Sequence, residues 1–153
     1  MADKLIFIIE DEESVAKTLE TWVTKRFSCS VQVFPSGEKF LEILQRDDEK
    51  ILPDVVLLDI VLPGKHGDEI LKESKEAHPD LPIIVLSAQQ DIDTAIKAMK
   101  YGASDYFTKP IEFGDGKLEI AIKNALQISD LSKEVERLRE TVSQRVHFEN
   151  IVA

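Results

Sequence analysis

Apolar and polar positions alternate between two rhythms along this chain. Short β-leaning apolar runs recur at Lys4–Ile9, Ser30–Phe34, Asp54–Leu58, Pro82–Leu86 and Ser104–Phe107, and each predicts a strand. Between them, apolar residues return at steps of three and four. Ser14 to Phe27 carries Val15, Leu19, Trp22, Val23 and Phe27, and Ser36 to Arg46 carries Phe40, Leu41 and Leu44. Asp68 to Ala77 carries Ile70 and Leu71, and Asp91 to Tyr101 carries Ile92, Ala95, Ile96 and Met99 before Gly102, a natural helix stop. A last helix is predicted from Asp115 to Lys117 onward, running well past the other elements. Strict strand–helix alternation predicts an α/β fold, a parallel sheet covered by helices on both faces. Units of this number and size suit a doubly wound sheet in the order 2-1-3-4-5, with its ligand crevice between strands 1 and 3 at their carboxyl ends.

The chain is organised around Asp54 to Gly64. Val55 to Leu58 is an unbroken apolar run that reads as a strand buried on both faces. Asp59 follows it directly, and Pro63-Gly64 then turns the chain. A carboxylate leaving a buried strand is poorly placed for stability and well placed for chemistry at the rim of a sheet. Other polar residues follow the strands in the same way: Glu10 and Asp11 after the first, Ser87 after the fourth, and Lys109-Pro110 after the fifth. Taken singly, each has an ordinary explanation; acids after the first strand, for example, favour the opening of the next helix. Taken together, they fall where this architecture places ligands.

Their types suit one chemistry. Clustered carboxylates repel, and a hard divalent cation relieves them. Mg²⁺ fits best, since it takes carboxylates, a backbone carbonyl, waters and phosphate oxygens. Asp11 and Asp59 are the expected direct ligands, with the Val61 carbonyl, and Glu10 holds the ion directly or through water. Asp59 is read as the nucleophile that accepts a phosphoryl group. Lys109 and the cation neutralise the transferring oxygens, and Ser87 offers a hydroxyl to one of them.

Composition narrows the alternatives. The 153 residues are 43% apolar and 31% charged, enough for one core plus a modest extension. A net charge of −10 argues against direct contact with nucleic acid or an anionic membrane. The single cysteine, Cys29, rules out a disulfide within the chain, fits a reducing cytoplasm, and reads as a small residue near a strand start. The apolar run Leu5 to Ile9 is too short for a signal-peptide core, and no stretch is long enough to span a bilayer.

At these residues the chain resembles the receiver domain of two-component response regulators. The matching stretches are Leu5 to Glu12, Val55 to Asp59 with Leu62-Pro63-Gly64, Ile84 to Ala88, and Met99 to Pro110, within residues 3 to about 126. The resemblance implies that Asp59 is phosphorylated by a histidine kinase or phosphotransfer protein. It assigns Glu10 and Asp11 to the metal pocket, Ser87 to the switch hydroxyl and Lys109 to the phosphate. It implies that phosphate draws the Ser87 hydroxyl inward while Tyr106 on strand 5 turns into the vacated space; spacing alone makes Tyr106 an ordinary half-buried strand aromatic. It also implies a cis Lys109-Pro110 bond. The chain departs from the pattern at Glu10, where Asp is commoner, and at Lys65-His66-Gly67, a more usually acidic turn. Val61 and Gln89 line the rim, His66 reads as a solvated loop histidine, and the glycines of Phe113-Gly114-Asp115-Gly116 suggest a longer or looser loop before helix 5.

Beyond residue 126 the pattern changes. Ile128, Val135 and Val142 fall at heptad a positions, with Leu131 and Leu138 at d. β-Branched residues at a with Leu at d favour a parallel two-stranded coil, and Glu134 at g meets Arg139 at the following e across such an interface. The other reading is one amphipathic helix packed on its own receiver, although Asp130 to Arg145 has no obvious surface left to pack on. The division is therefore a receiver domain over 1–126 and a helical linker over 127–153 that pairs two copies. Arg145 to Val152 resembles the junction into the ATPase module of sigma-54-dependent (nitrogen-regulator-type) transcription activators, with an unremarkable C-terminus as the alternative. In that reading the chain is a regulatory fragment of a transcription regulator and not an enzyme, beyond assisting its own phosphorylation and dephosphorylation. Competing classes are weaker. A Mg²⁺-dependent aspartyl-phosphate phosphatase of the haloacid-dehalogenase type needs a second acid two residues after the nucleophile, where Val61 stands. A dimerisation module that is never phosphorylated leaves the set of Asp11, Asp59, Ser87 and Lys109 unexplained. No Gly-x-x-x-x-Gly-Lys-Ser/Thr run supports a P-loop enzyme.

Overall fold

The computed structural model describes residues 4–46, 51–61, 66–88 and 92–152, with side chains through 142. Expectations at Leu62-Pro63-Gly64, Lys65, Gln89 and Asp91, and at the side chains of Arg145 to Val152, lie outside the described residues.

The elements alternate as the periodicities predict: β1 (Leu5–Ile9), α1 (Glu13–Phe27), β2 (Ser30–Phe34), α2 (Gly37–Arg46), β3 (Val55–Asp59), α3 (Gly67–Ala77), β4 (Ile83–Ser87), α4 (Ile92–Lys100), β5 (Asp105–Thr108) and α5 (Lys117–Val152). The strands pair in parallel in the order β2-β1-β3-β4-β5. β3 and β4 are buried along their whole length, which is why their sequences are continuous apolar runs with no alternation.

Successive side chains of each strand enter opposite layers. Phe7, Ile9, Val56, Leu58, Ile83 and Val85 pack with α2, α3 and α4 through Phe40, Leu44, Ile70, Leu71 and Ala98. Ile6, Ile8, Val55, Leu57, Ile84 and Leu86 pack with α1 and α5 through Leu19, Val23, Leu118 and Ile122. Each fully buried side chain of this size contributes about 1.5–3 kcal/mol, so both layers hold the sheet between them. Cys29 is buried at the start of β2, as its small size suggested.

The Phe113 to Gly116 segment is more ordered than its glycines suggested. Phe113–Asp115 forms a 3-10 helix, Gly116 adopts φ 74°, and the Lys117 N–H donates to Asp115 Oδ1 at 2.9 Å. Gly116 is needed for its left-handed backbone, which opens α5 directly behind the turn.

The tail also corrects an expectation, because Asp130 onward does find the receiver. The Lys4 ammonium pairs with Asp130, and Lys133 pairs with Asp54 at the amino end of β3. Sequence periodicity registers apolar packing and is blind to such charged links. The heptad residues remain uncovered: Ile128 is 48% exposed, Leu131 65%, Val135 44%, Leu138 49% and Val142 59%. Among the described residues no helix is long and apolar enough to cross a membrane.

Candidate functional site

The parallel sheet carries the carboxyl ends of β1, β3, β4 and β5 to one edge, and the polar residues after the strands meet there. Register sets Asp59 opposite Leu86 and Ser87 opposite Thr108. The Lys109 N–H donates to the Ser87 carbonyl at 2.8 Å, which holds the end of β5 against the end of β4. The Lys109-Pro110 bond is cis, as the resemblance implied.

Side-chain oxygens of Glu10, Asp11 and Asp59 all lie within 4.8 Å of one another. Lys109 Nζ reaches into this group, contacting Glu10 Oε1 directly and standing 3.1 Å from Asp59 Oδ2. The Val61 N–H donates to Asp59 Oδ1 at 3.1 Å, so the two carboxylate oxygens are held differently, one by the backbone and one by the ammonium. The Glu12 N–H donates to Glu10 Oε2 at 3.3 Å. Glu10 and Asp59 are buried, whereas Asp11 is exposed at the mouth.

Burial raises the Glu10 carboxyl to about 7, with the neighbouring Asp59 adding to the rise and Lys109 opposing it. Burial alone would lower the Lys109 ammonium, but the Glu10 and Asp59 carboxylates outweigh it and hold that group above its ordinary value. The site is thus an acidic hollow crossed by the Lys109 ammonium.

The donor set fits Mg²⁺. Ligands at about 2.0–2.1 Å in octahedral geometry stand roughly 3 Å apart when adjacent and about 4 Å apart when opposed, and oxygens gathered within 4.8 Å of one another are close to that range. The ligands are hard oxygens, and a cation is what this cluster of like charges requires.

Ser87 is fully buried beside this edge, and Tyr106 is half-buried on β5 opposite Val85, against the layer that contains α4. His66 is exposed at the start of α3, as a solvated loop residue.

Gly67 was not singled out from the sequence beyond its unusual turn. Its N–H donates to the Ile60 carbonyl at 2.9 Å, and a Cβ there would stand 2.4 Å from Ile60 Cα and 2.5 Å from the Asp59 carbonyl oxygen. Only glycine lets α3 start this close behind the Asp59 backbone. A glycine opening a predicted helix was the available signal.

Comparison with known proteins bears on the family and the fold. The sequence profile of the response regulator receiver domain matches residues 6–122. This chain belongs to the response regulator receiver family. The receiver is 33% identical over 120 residues to the luminescence regulatory protein LuxO of Vibrio campbellii, covering 78% of this chain and 25% of that protein. It is 37% identical over 112 residues to the DNA-binding transcriptional regulator NtrC of Klebsiella pneumoniae, covering 72% of this chain and 23% of that one. A receiver domain crystal structure from Clostridium thermocellum superposes with a TM-score of 0.73 at 32% identity, over 84% of this chain and 98% of that one. The receiver therefore spans about a quarter of the length of these curated relatives.

Proposed function

We propose that this receiver accepts a phosphoryl group on Asp59 from a histidine kinase or phosphotransfer protein and relays its state to a transcriptional output. The observation that carries the reading is the meeting of Lys109 with Asp59 and Glu10 beside Asp11, residues up to 99 positions apart that share no structural need for one another. One Asp59 oxygen attacks phosphorus in line; the O–P bond forms as the bond to the donor nitrogen breaks, and that nitrogen takes up a proton. Lys109 follows the charge onto the phosphoryl oxygens, and the Val61 N–H fixes the orientation of the carboxylate. Glu10, Asp11, Asp59 and the Val61 carbonyl would hold Mg²⁺, which supplies further neutralisation of the transferring oxygens. Ser87 and Tyr106 are the proposed switch: the hydroxyl follows the phosphoryl group, and the half-buried ring moves into the space behind it.

The functional division is a receiver over 1–126 and a linker helix over 127–153, with a second copy docking along Ile128, Leu131, Val135, Leu138 and Val142. The charge of −10 argues against direct contact with nucleic acid by this segment, and the single cysteine fits a reducing cytoplasm. Likeness to LuxO and NtrC, together with the long helix behind the receiver, supports a place in front of a sigma-54-type activator module. The receiver is a phosphoacceptor and assists its own phosphorylation and dephosphorylation without turning over an external substrate.

Incubation with acetyl phosphate or phosphoramidate and Mg²⁺ tests the assignment. Intact-mass analysis is expected to show one added phosphate, stable in acid and labile in base, and none in Asp59→Asn. Phosphate retained by that variant would overturn it.

A further inference from the structure

β3 has a second buried acid at its other end. Asp54 is 4% exposed, immediately before Val55, and about 17 Å from Asp59 at the usual strand rise. Its Oδ2 accepts the Leu5 N–H at 2.8 Å, which ties the starts of β3 and β1 together. That bond alone would satisfy a structural aspartate. Its Oδ1, however, faces α5, where it accepts the Ser129 hydroxyl at 3.3 Å and the Lys133 ammonium. One residue along the helix from Ser129, Asp130 pairs with Lys4, just before β1. Ser129, Asp130 and Lys133 therefore bind the amino edge of the sheet at two strands, opposite the edge that holds Asp59.

We propose that Asp54, with Ser129 and Lys133, and the Lys4–Asp130 pair beside it, form a clasp that fixes the direction and rotational setting of the tail helix on the receiver. The position of the heptad residues is one consequence. At 3.6 residues per turn, Ile128, Leu131, Val135, Leu138 and Val142 centre about 160° around the helix from the Ser129–Lys133 side. The clasp thus turns the apolar stripe away from the receiver. Apolar contact does not do this instead, because past Ser129 an open groove of about 620 Å³ separates Lys133, Glu136 and Arg137 from Leu44, Leu52 and His78. The tail over this stretch is held by charge, and its setting refers to the strand that carries Asp59. The clasp lies within one chain and depends neither on phosphorylation nor on pairing of two copies.

Amide hydrogen exchange across 129–138 tests it. In Lys133→Met, exchange there is expected to rise at least about threefold, the effect of removing a half-exposed charge pair from a local opening equilibrium. Lys133→Arg should restore protection, and Lys4→Met should act in the same direction as Lys133→Met. Amides of Val55–Asp59 should stay unchanged, since the Leu5–Asp54 bond remains. The same comparison in a Leu131→Gln/Leu138→Gln background must give the same rise, so failure of the dimer reading would leave this result standing. Exchange at 129–138 that is unaffected by Lys133→Met would overturn the clasp.

Discussion

At the scale of single residues, Glu10 shows how a position gains properties that its identity does not carry. In the sequence it is an acid after a strand, one carbon longer than its neighbour Asp11. In the fold it is buried against Asp59 and Lys109, and burial first, then Asp59, raises its carboxyl from 4.5 to about 7. The folded chain therefore binds this proton more tightly than the unfolded chain. Without divalent ions, Glu10 costs stability progressively as pH rises from about 4.5 to about 7, because the folded state must then either keep a proton from dilute solution or bury a charge. The melting temperature in EDTA is expected to fall across that window, and Glu10→Gln should flatten the slope. An equal slope in both proteins would refute the assignment. Asp54 acts in a different window. Burial would raise it, but Lys133 and the Leu5 N–H hold it below its ordinary 3.8, so its contribution is full above that value and is lost as pH falls further. The presence of these acids was legible in the sequence. Their opposite shifts were not, because each depends on which charge the fold brings alongside.

At the scale of elements, the strands and helices were legible because each repeats one period. Continuous apolar runs mark β3 and β4, which are buried on both faces, and three-four spacing marks the helices. Ends moved by a residue or so: β5 runs Asp105–Thr108 where Ser104–Phe107 was expected, because ladder pairing with Ile84 to Ser87 decides its limits. α5 carries two messages on one helix. Leu118, Ala121, Ile122 and Ala125 face the core, while the stripe from Ile128 to Val142 faces solvent. Such a continuous exposed apolar stripe is a docking surface by its chemistry. In the proposed dimer a second copy would cover it, with Val and Ile at a, Leu at d and the Glu134–Arg139 pairing across the seam. Leu131→Gln with Leu138→Gln is expected to halve the mass measured by light scattering, with helical content nearly kept. An unchanged mass would show that those leucines hold no dimer.

At the scale of the whole molecule, acids from the ends of β1 and β3 form one hollow that Lys109 enters from the end of β5, and a cation bound there should stabilise the entire fold. A ligand that binds only the folded state adds about 2.7 kcal/mol at a hundredfold excess over its dissociation constant. Mg²⁺ is therefore expected to raise the melting temperature. Asp11→Asn should remove most of that rise while leaving the metal-free melting temperature nearly unchanged, since Asp11 is exposed and shares the cluster only through its carboxylate. A full Mg²⁺ shift in the variant would exclude Asp11 as a ligand. The sequence by itself determined the alternation of elements, and with it a parallel doubly wound sheet, because hydrophobic periodicity and right-handed crossovers leave few other ways to bury these runs. It also determined that Glu10, Asp11, Asp59, Ser87 and Lys109 share one edge, because residues that end parallel strands must do so. Only the tertiary structure decided what depends on distance between remote atoms: the reach of Lys109 to two carboxylates, the close approach that demands Gly67, and the grip of Asp54 on Lys133. The ion pairs join positions 50 to 99 residues apart, and the start of α3 lies where an added Cβ would collide with the backbone of Asp59 and Ile60; no local period encodes either.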